Sequence, residues 1–139
     1  MVQKNDDIYY MSQAICISKS SFCKKKKVGA IIVKNNKIIS DGYNHTPIGF
    51  DNICEDIDGK TKWYVLHAEA NAILKTSSSS LSCDGASIYI THFPCKECSK
   101  LIYLSSIKKV IYLYENNKKT NDIYFFLKRM QIKVEKLNF

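Results

Sequence analysis

Apolar residues first recur at helical spacing. Ile8, Met11, Ala14, Ile15 and Ser18 share one side of that repeat, so Asp6 to about Lys19 is expected to be an amphipathic helix. A polar, basic loop follows from Ser20 to Lys27. Val28 to Val33 is an unbroken apolar run, the pattern of a strand covered on both faces. Asn35 and Asn36 tolerate positive φ, and Lys37 to Ser40 is expected to return as the second arm of a hairpin. From Asn44 to Leu66 the pattern has no period, which marks a long irregular loop, functional or disordered. Periodicity then predicts a helix from His67 to about Thr76, stopped by four serines, a strand over Ser87 to Thr91, and a helix from Cys95 to about Ser106. Lys109 to Tyr114 is expected as a strand, Asp122 to Met130 as a helix, and Ile132 to Leu137 as a last short strand. A helix, a hairpin and then three helix–strand units place the chain in the α/β class, with a mixed five-strand sheet.

Composition narrows the class. The 139 residues contain two prolines and five glycines, which excludes collagenous and low-complexity chains and suits one domain over 1–139. No apolar run approaches the roughly 20 residues of a membrane helix, and Met1 to Asp7 lacks the apolar stretch of a secretory signal. A cytoplasmic protein without a membrane partner is expected. The net charge of +8 raises the question of nucleic acid. It comes almost wholly from lysine, with Arg129 the single arginine, and it accompanies abundant isoleucine and asparagine along the whole chain. A dedicated nucleic-acid face would favour the planar fork of arginine. No nucleic-acid partner is therefore expected, although the positive field would attract a small anion. Lys24 to Lys27 is expected to be a solvated run.

Without a secretory context, clustered cysteines point to metal binding or catalysis rather than to a disulfide framework. Of the six, only Cys95 and Cys98 are close in sequence. At a helix start their i, i+3 spacing puts both sulfurs on one side, where the helix amides favour thiolates. With His67 they make three ligands, which leaves tetrahedral zinc a fourth position for water, the catalytic rather than the structural arrangement. Glu69, two residues after His67, is placed to move protons without being a ligand.

Together, His67-Ala68-Glu69 and Pro94-Cys95-Lys96-Glu97-Cys98 match the H-x-E and P-C-x-x-C signature of zinc-dependent nucleobase deaminases, and the reaction is carried over from that match. Over nearly its whole length the sequence resembles the deoxycytidylate (dCMP) deaminases, a branch of the cytidine deaminase superfamily. The branch is marked by Gly42-Tyr43-Asn44 with Pro47 and Gly49, by His67-Ala68-Glu69 with Asn71-Ala72-Ile73, and by the long loop before His67. The resemblance implies a three-layer α/β/α sandwich, zinc at His67, Cys95 and Cys98, Glu69 as the catalytic acid–base, and hydrolysis of dCMP to dUMP and ammonia. It also implies substrate contacts from Asn44 and Tyr64, a homo-hexamer, and dCTP and dTTP as effectors. His45 stands where the family's regulatory segment usually has glycine, which puts the effectors in question. Cys23 and Cys54 match positions that hold an additional structural zinc in some relatives, but the remaining ligands have no clear counterpart, so two separate buried thiols are expected. His92 is expected to be a strand-end residue without a role.

Three other readings stand beside this one. A tRNA-editing deaminase would give the basic charge a purpose, but it predicts a short loop before the histidine. A nucleoside cytidine deaminase would favour arginine and glutamine where Ser99-Lys100 stand. A non-catalytic zinc module that binds nucleic acid would have no use for Glu69 beside an open coordination position.

Overall fold

The computed structural model describes residues 2–115 and 120–139, with side chains from residue 6 onward. Its elements are α1 (Val2–Ser18), β1 (Gly29–Lys34), β2 (Lys37–Tyr43), α2 (Ala68–Thr76), β3 (Ser87–His92), α3 (Lys96–Leu104), β4 (Lys109–Tyr114), α4 (Asn121–Arg129) and β5 (Lys133–Lys136). The five strands form one sheet in the order β2-β1-β3-β4-β5. β1 is antiparallel to both β2 and β3, while β3, β4 and β5 are parallel. The expected mixed sheet is present. Asn35 and Asn36 take φ of 52° and 62° and close the β1–β2 hairpin. Among the described residues, no helix is long and apolar enough to cross a membrane.

The side-chain alternation of the strands explains their unbroken apolar runs. Ile31 and Val33 of β1, Tyr89 of β3 and Ile111 of β4 pack on Met11 and Ala14 of α1. Ala30, Ile32, Ile88, Ile90 and Val110 face the opposite way, onto Ala72 of α2, Ile102 of α3 and Leu127 of α4. The result is a layer of one helix, the sheet, and a layer of three helices.

Two glycines set the spacing between layers. A Cβ at Gly29 would lie 2.0 Å from the Ala14 carbonyl oxygen, and one at Gly42 would lie 2.4 Å from that of Ala68. Any side chain at Gly42 would push the first turn of α2 off β2. Ser40 Oγ, donating to Ala72 O at 2.6 Å, and Asn71 Nδ2, donating to Tyr43 O at 3.0 Å, fasten the same contact. α2 is thereby held at the end of β2, with His67 and Glu69 on its leading turn.

Candidate active site

The strands β2, β3 and β4 run the same way and end at one edge of the sheet, where β1 begins. Two helices start at that edge. His67 is the N-cap of α2 and Cys95 the N-cap of α3, both with extended backbone. Cys98 lies one turn into α3, and its N–H points at Cys95 Sγ, 3.4 Å away. The N-terminal amides of α3 therefore favour negative charge on sulfur, as the spacing predicted.

His67, Cys95 and Cys98 converge. His67 Nδ1 is 3.5 Å from Cys95 Sγ and 3.3 Å from Cys98 Sγ, and the three ligand atoms lie within 4.8 Å of one another. Tetrahedral zinc with bonds of about 2.0 Å to nitrogen and 2.3 Å to sulfur requires nitrogen–sulfur separations near 3.5 Å. The donor set and its spacing fit that ion, and they identify Nδ1 as the ligand nitrogen. Among the protein groups alone, hydrogen bonding from Cys98 brings the Cys95 thiol down to about 4, and the same bond pushes Cys98 up. His67 is raised, first by its hydrogen bond to Cys95.

Glu69 is buried, at 4% exposure, beside this cluster. Burial pushes its carboxyl up to about 7, the value suited to a group that must both take and give a proton at neutral pH.

The cluster opens into a cavity of about 230 Å³, walled by Val28, Ala68, Val65 and Phe93 and reached by Asn44, Thr61, Glu55, Lys25, Lys26 and His92. Phe93 is held by stacking on Tyr124 at 5.1 Å and by its edge-on contact with Tyr112 at 4.9 Å. The hydroxyls of those two tyrosines are 2.6 Å apart. A second cavity adjoins the first and shares Lys26, His92, Phe93 and Cys95 with it. His92 is the last residue of β3, and burial followed by the charge of Lys26 lowers its pKa. Thr91 Oγ1 accepts the Gly29 N–H at 3.1 Å, leaving its proton for His92 Nδ1 at 2.9 Å, which suits a neutral ring.

Asn44 lines the cavity, but its amide is engaged with backbone: Oδ1 accepts the Val28 N–H at 2.9 Å and Nδ2 donates to Lys26 O at 2.8 Å. Tyr64 is not brought to the cavity wall. It packs on the loop surface against Phe50 at 4.9 Å, with Lys62 Nζ 5.8 Å from its ring centre, while its neighbour Val65 turns inward. His45 bridges to Leu66 and is absent from the positive-φ residues, so its backbone has no need of glycine. The expectation of two separate thiols at Cys23 and Cys54 is corrected: they form a disulfide that ties the basic loop to the long loop. Glu55 lies next to it, and its Oε2 accepts the N–H groups of Lys24 and Lys25, each at 3.1 Å. The lysine run is exposed as expected, yet Lys25 and Lys26 reach the cavity. Neither they nor His92 carried a motif, and Phe93 was marked only by standing between His92 and the metal motif.

The chain matches the model of the cytidine and deoxycytidylate deaminase zinc-binding region over residues 4–114. The solved dCMP deaminase of cyanophage S-TIM5, in complex with dCMP and dUMP, is similar with a TM-score of 0.86 and 46% identity, over 92% of this chain and 93% of that one. Human (Homo sapiens) deoxycytidylate deaminase is 38% identical over 128 residues, which is 80% of this chain and 68% of the relative. ComE operon protein 2 of Bacillus subtilis is 40% identical over 108 residues, or 75% of this chain, and the match spans 57% of that relative's length. With the family model matched over most of its length and a relative of this identity sharing the fold, the chain belongs to the cytidine and deoxycytidylate deaminase family of zinc-binding enzymes.

Proposed function

We propose that this protein hydrolyses dCMP to dUMP and ammonia. The observation that carries the reading is the convergence of His67, Cys95 and Cys98 beside the buried carboxyl of Glu69. The S-TIM5 relative, solved with dCMP and dUMP, supplies the substrate class. Zinc held by the three side chains supplies the Lewis acidity that makes water a nucleophile at neutral pH. Glu69 takes the proton of the attacking water as oxygen bonds to carbon 4 of the cytosine ring. It delivers that proton to ring nitrogen 3, then carries the remaining proton from the new hydroxyl on carbon 4 to the amino group, and the C–N bond breaks to release ammonia. Val28, Val65 and Phe93 give the cavity apolar walls that suit the faces of a planar ring and exclude bulk water from it.

Ammonia release from dCMP, deoxycytidine, cytidine and a tRNA anticodon stem decides the matter. The highest kcat/KM is expected on dCMP, because binding energy from the phosphate is usable at the reacting carbon. Preference for the nucleoside or for RNA would overturn the dCMP assignment.

The proposal includes a homo-oligomer, the hexamer implied by family resemblance. Tyr103 and Phe125 of the later helices are exposed, but a larger exposed apolar set lies on the long loop, where Ile48, Ile57 and Trp63 are at least 93% exposed. Light scattering is expected to give a particle several times the 16.0 kDa of one chain. A 16.0 kDa particle at micromolar concentration would reject it.

A further inference from the structure

Cys23 and Cys54 take no part in the zinc cluster, yet they belong to the wall of the same cavity. Both are buried, at 2% and 1% exposure, and with Val65 they make a small apolar cluster separate from the two faces of the sheet. Val65 is also a wall of the catalytic cavity, so the disulfide packs against a residue that shapes the site. The bond joins positions 31 residues apart and ties the basic loop before β1 to the long loop before α2. A cluster of three side chains buries too little to order that long loop, and a covalent tie supplies what burial does not.

The two sulfurs are not reached equally. Cys23 lines the catalytic cavity beside Glu55 and Thr61, whereas Cys54 lines neither that cavity nor the one adjoining it. A space of about 230 Å³ admits a small thiol, so a sulfur closed off from the outer surface is open from the inside. A dithiol can then complete an exchange. Its thiolate attacks Cys23 Sγ, the bond to Cys54 breaks, and Cys54 leaves as a thiolate that takes a proton from water. The second sulfur of the dithiol next displaces Cys23, which is protonated in turn. The protein gains two electrons and two protons, and the dithiol is oxidised to a cyclic disulfide. The structure accommodates the product: Cys23 Sγ lies 3.9 Å from Asn44 O, an acceptor for the new S–H. Glu55 Oε2, which accepts the Lys24 and Lys25 N–H groups, keeps the two loops in contact once the bond is gone. That polar contact is exposed and weaker than the covalent one.

We infer that Cys23–Cys54 is a reversible thiol–disulfide exchange site, entered through the catalytic cavity, whose oxidation state sets how firmly the Val65 wall is held. A small dithiol is the reductant and a small disulfide the oxidant. A nucleotide in the cavity covers Cys23 and slows the exchange. The looser wall of the dithiol form binds that nucleotide less well, and reciprocally the bound nucleotide favours the disulfide. The inference rests on the proposed reading of the site only for its probe, dUMP.

The test uses the full chain loaded with zinc, with dithiothreitol as the dithiol and cystamine as the small disulfide. Alkylation and peptide mass mapping read Cys23 and Cys54 separately from the free cysteines Cys16, Cys83, Cys95 and Cys98. Dithiothreitol is expected to reduce the pair and cystamine to restore it, and dUMP at about ten times its Kd should slow reduction about 10-fold. In the dithiol form, trypsin should cut after Lys60 and Lys62 of the long loop at least about 10-fold faster, a modest share of what a lost cross-link is worth. KM for dCMP should rise about 5-fold or more with kcat changed less than about 2-fold, the size of an ordinary coupling between two sites. Cys54→Ser should behave as the reduced protein in either redox buffer. Should that variant not fold, the wild type in its two states gives the same comparison. Free thiols at Cys23 and Cys54 after cystamine, equal tryptic rates in the two states, or an equal rate of reduction with dUMP bound would each overturn the inference. Uptake of a second zinc by the reduced chain would overturn it too, the thiols then serving a metal. If dUMP does not bind at all, the proposed reaction loses its support, and the tryptic comparison still decides the exchange site.

Discussion

Replacing Glu69 by glutamine is expected to lower turnover on dCMP by at least ~100-fold, the low end of what general acid–base catalysis contributes. The zinc content and the fold should survive. Glu69 is not among the side chains that converge on the metal position, and glutamine preserves its volume in the buried site. What glutamine cannot do is exchange a proton. Burial raises the carboxyl above its ordinary range, which eases its protonation, a change no glutamine can undergo. Glu69→Ala should lose at least as much and also leave a small void between α2 and the cluster. A folded, zinc-replete Glu69→Gln protein with wild-type turnover would show that another group moves the protons. His92 is the first one to examine, being the other imidazole on the cavity wall.

The features written locally in the chain were legible. Val28 to Val33 predicted a strand covered on both faces, and Ala30 and Ile32 indeed face three helices while Ile31 and Val33 face one. Asn35-Asn36 announced the turn, and the spacing of His67, Cys95 and Cys98 announced the metal cluster. Some boundaries moved with tertiary context. α1 begins at Val2, ahead of the apolar repeat that betrayed it, and β2 continues through Gly42 because α2 packs against that glycine. The long loop has no period, since its order comes from distant partners: the Cys23–Cys54 disulfide and the His45–Leu66 bridge. The same reason hid Lys26 and His92. They are separated by the hairpin, the long loop and α2, and they meet only because β1 lies beside β3. Tyr64, given a substrate contact by family position, packs on the loop surface against Phe50, and its neighbour Val65 is the one that lines the cavity.

Metal binding and folding should separate in this protein. The triad is anchored on two helix starts, and each helix is held by packing that does not involve the metal: α2 through Gly42 and Ala72, α3 through Ile102 in the core. One zinc per chain is expected by elemental analysis, and Cys95→Ala combined with Cys98→Ala should weaken metal binding by more than ~100-fold, since even supporting groups around a metal site are worth 10- to 100-fold. Activity should fall to background with it. Circular dichroism of the variant should still report the α/β fold, because the apolar residues on both faces of the sheet remain buried. That outcome contrasts with small zinc-dependent domains, which unfold when their metal is removed because it stands in for a core. A lowered melting temperature is expected all the same. An ion held by the triad would join the N-terminus of α2 to that of α3, and without it Cys95, His67 and the α3 N-terminus would be freer to fray. If the double variant keeps its zinc, the ligands are misassigned. If it loses zinc and unfolds completely, the metal is a structural element, and the open coordination position inferred from three ligands has to be given up.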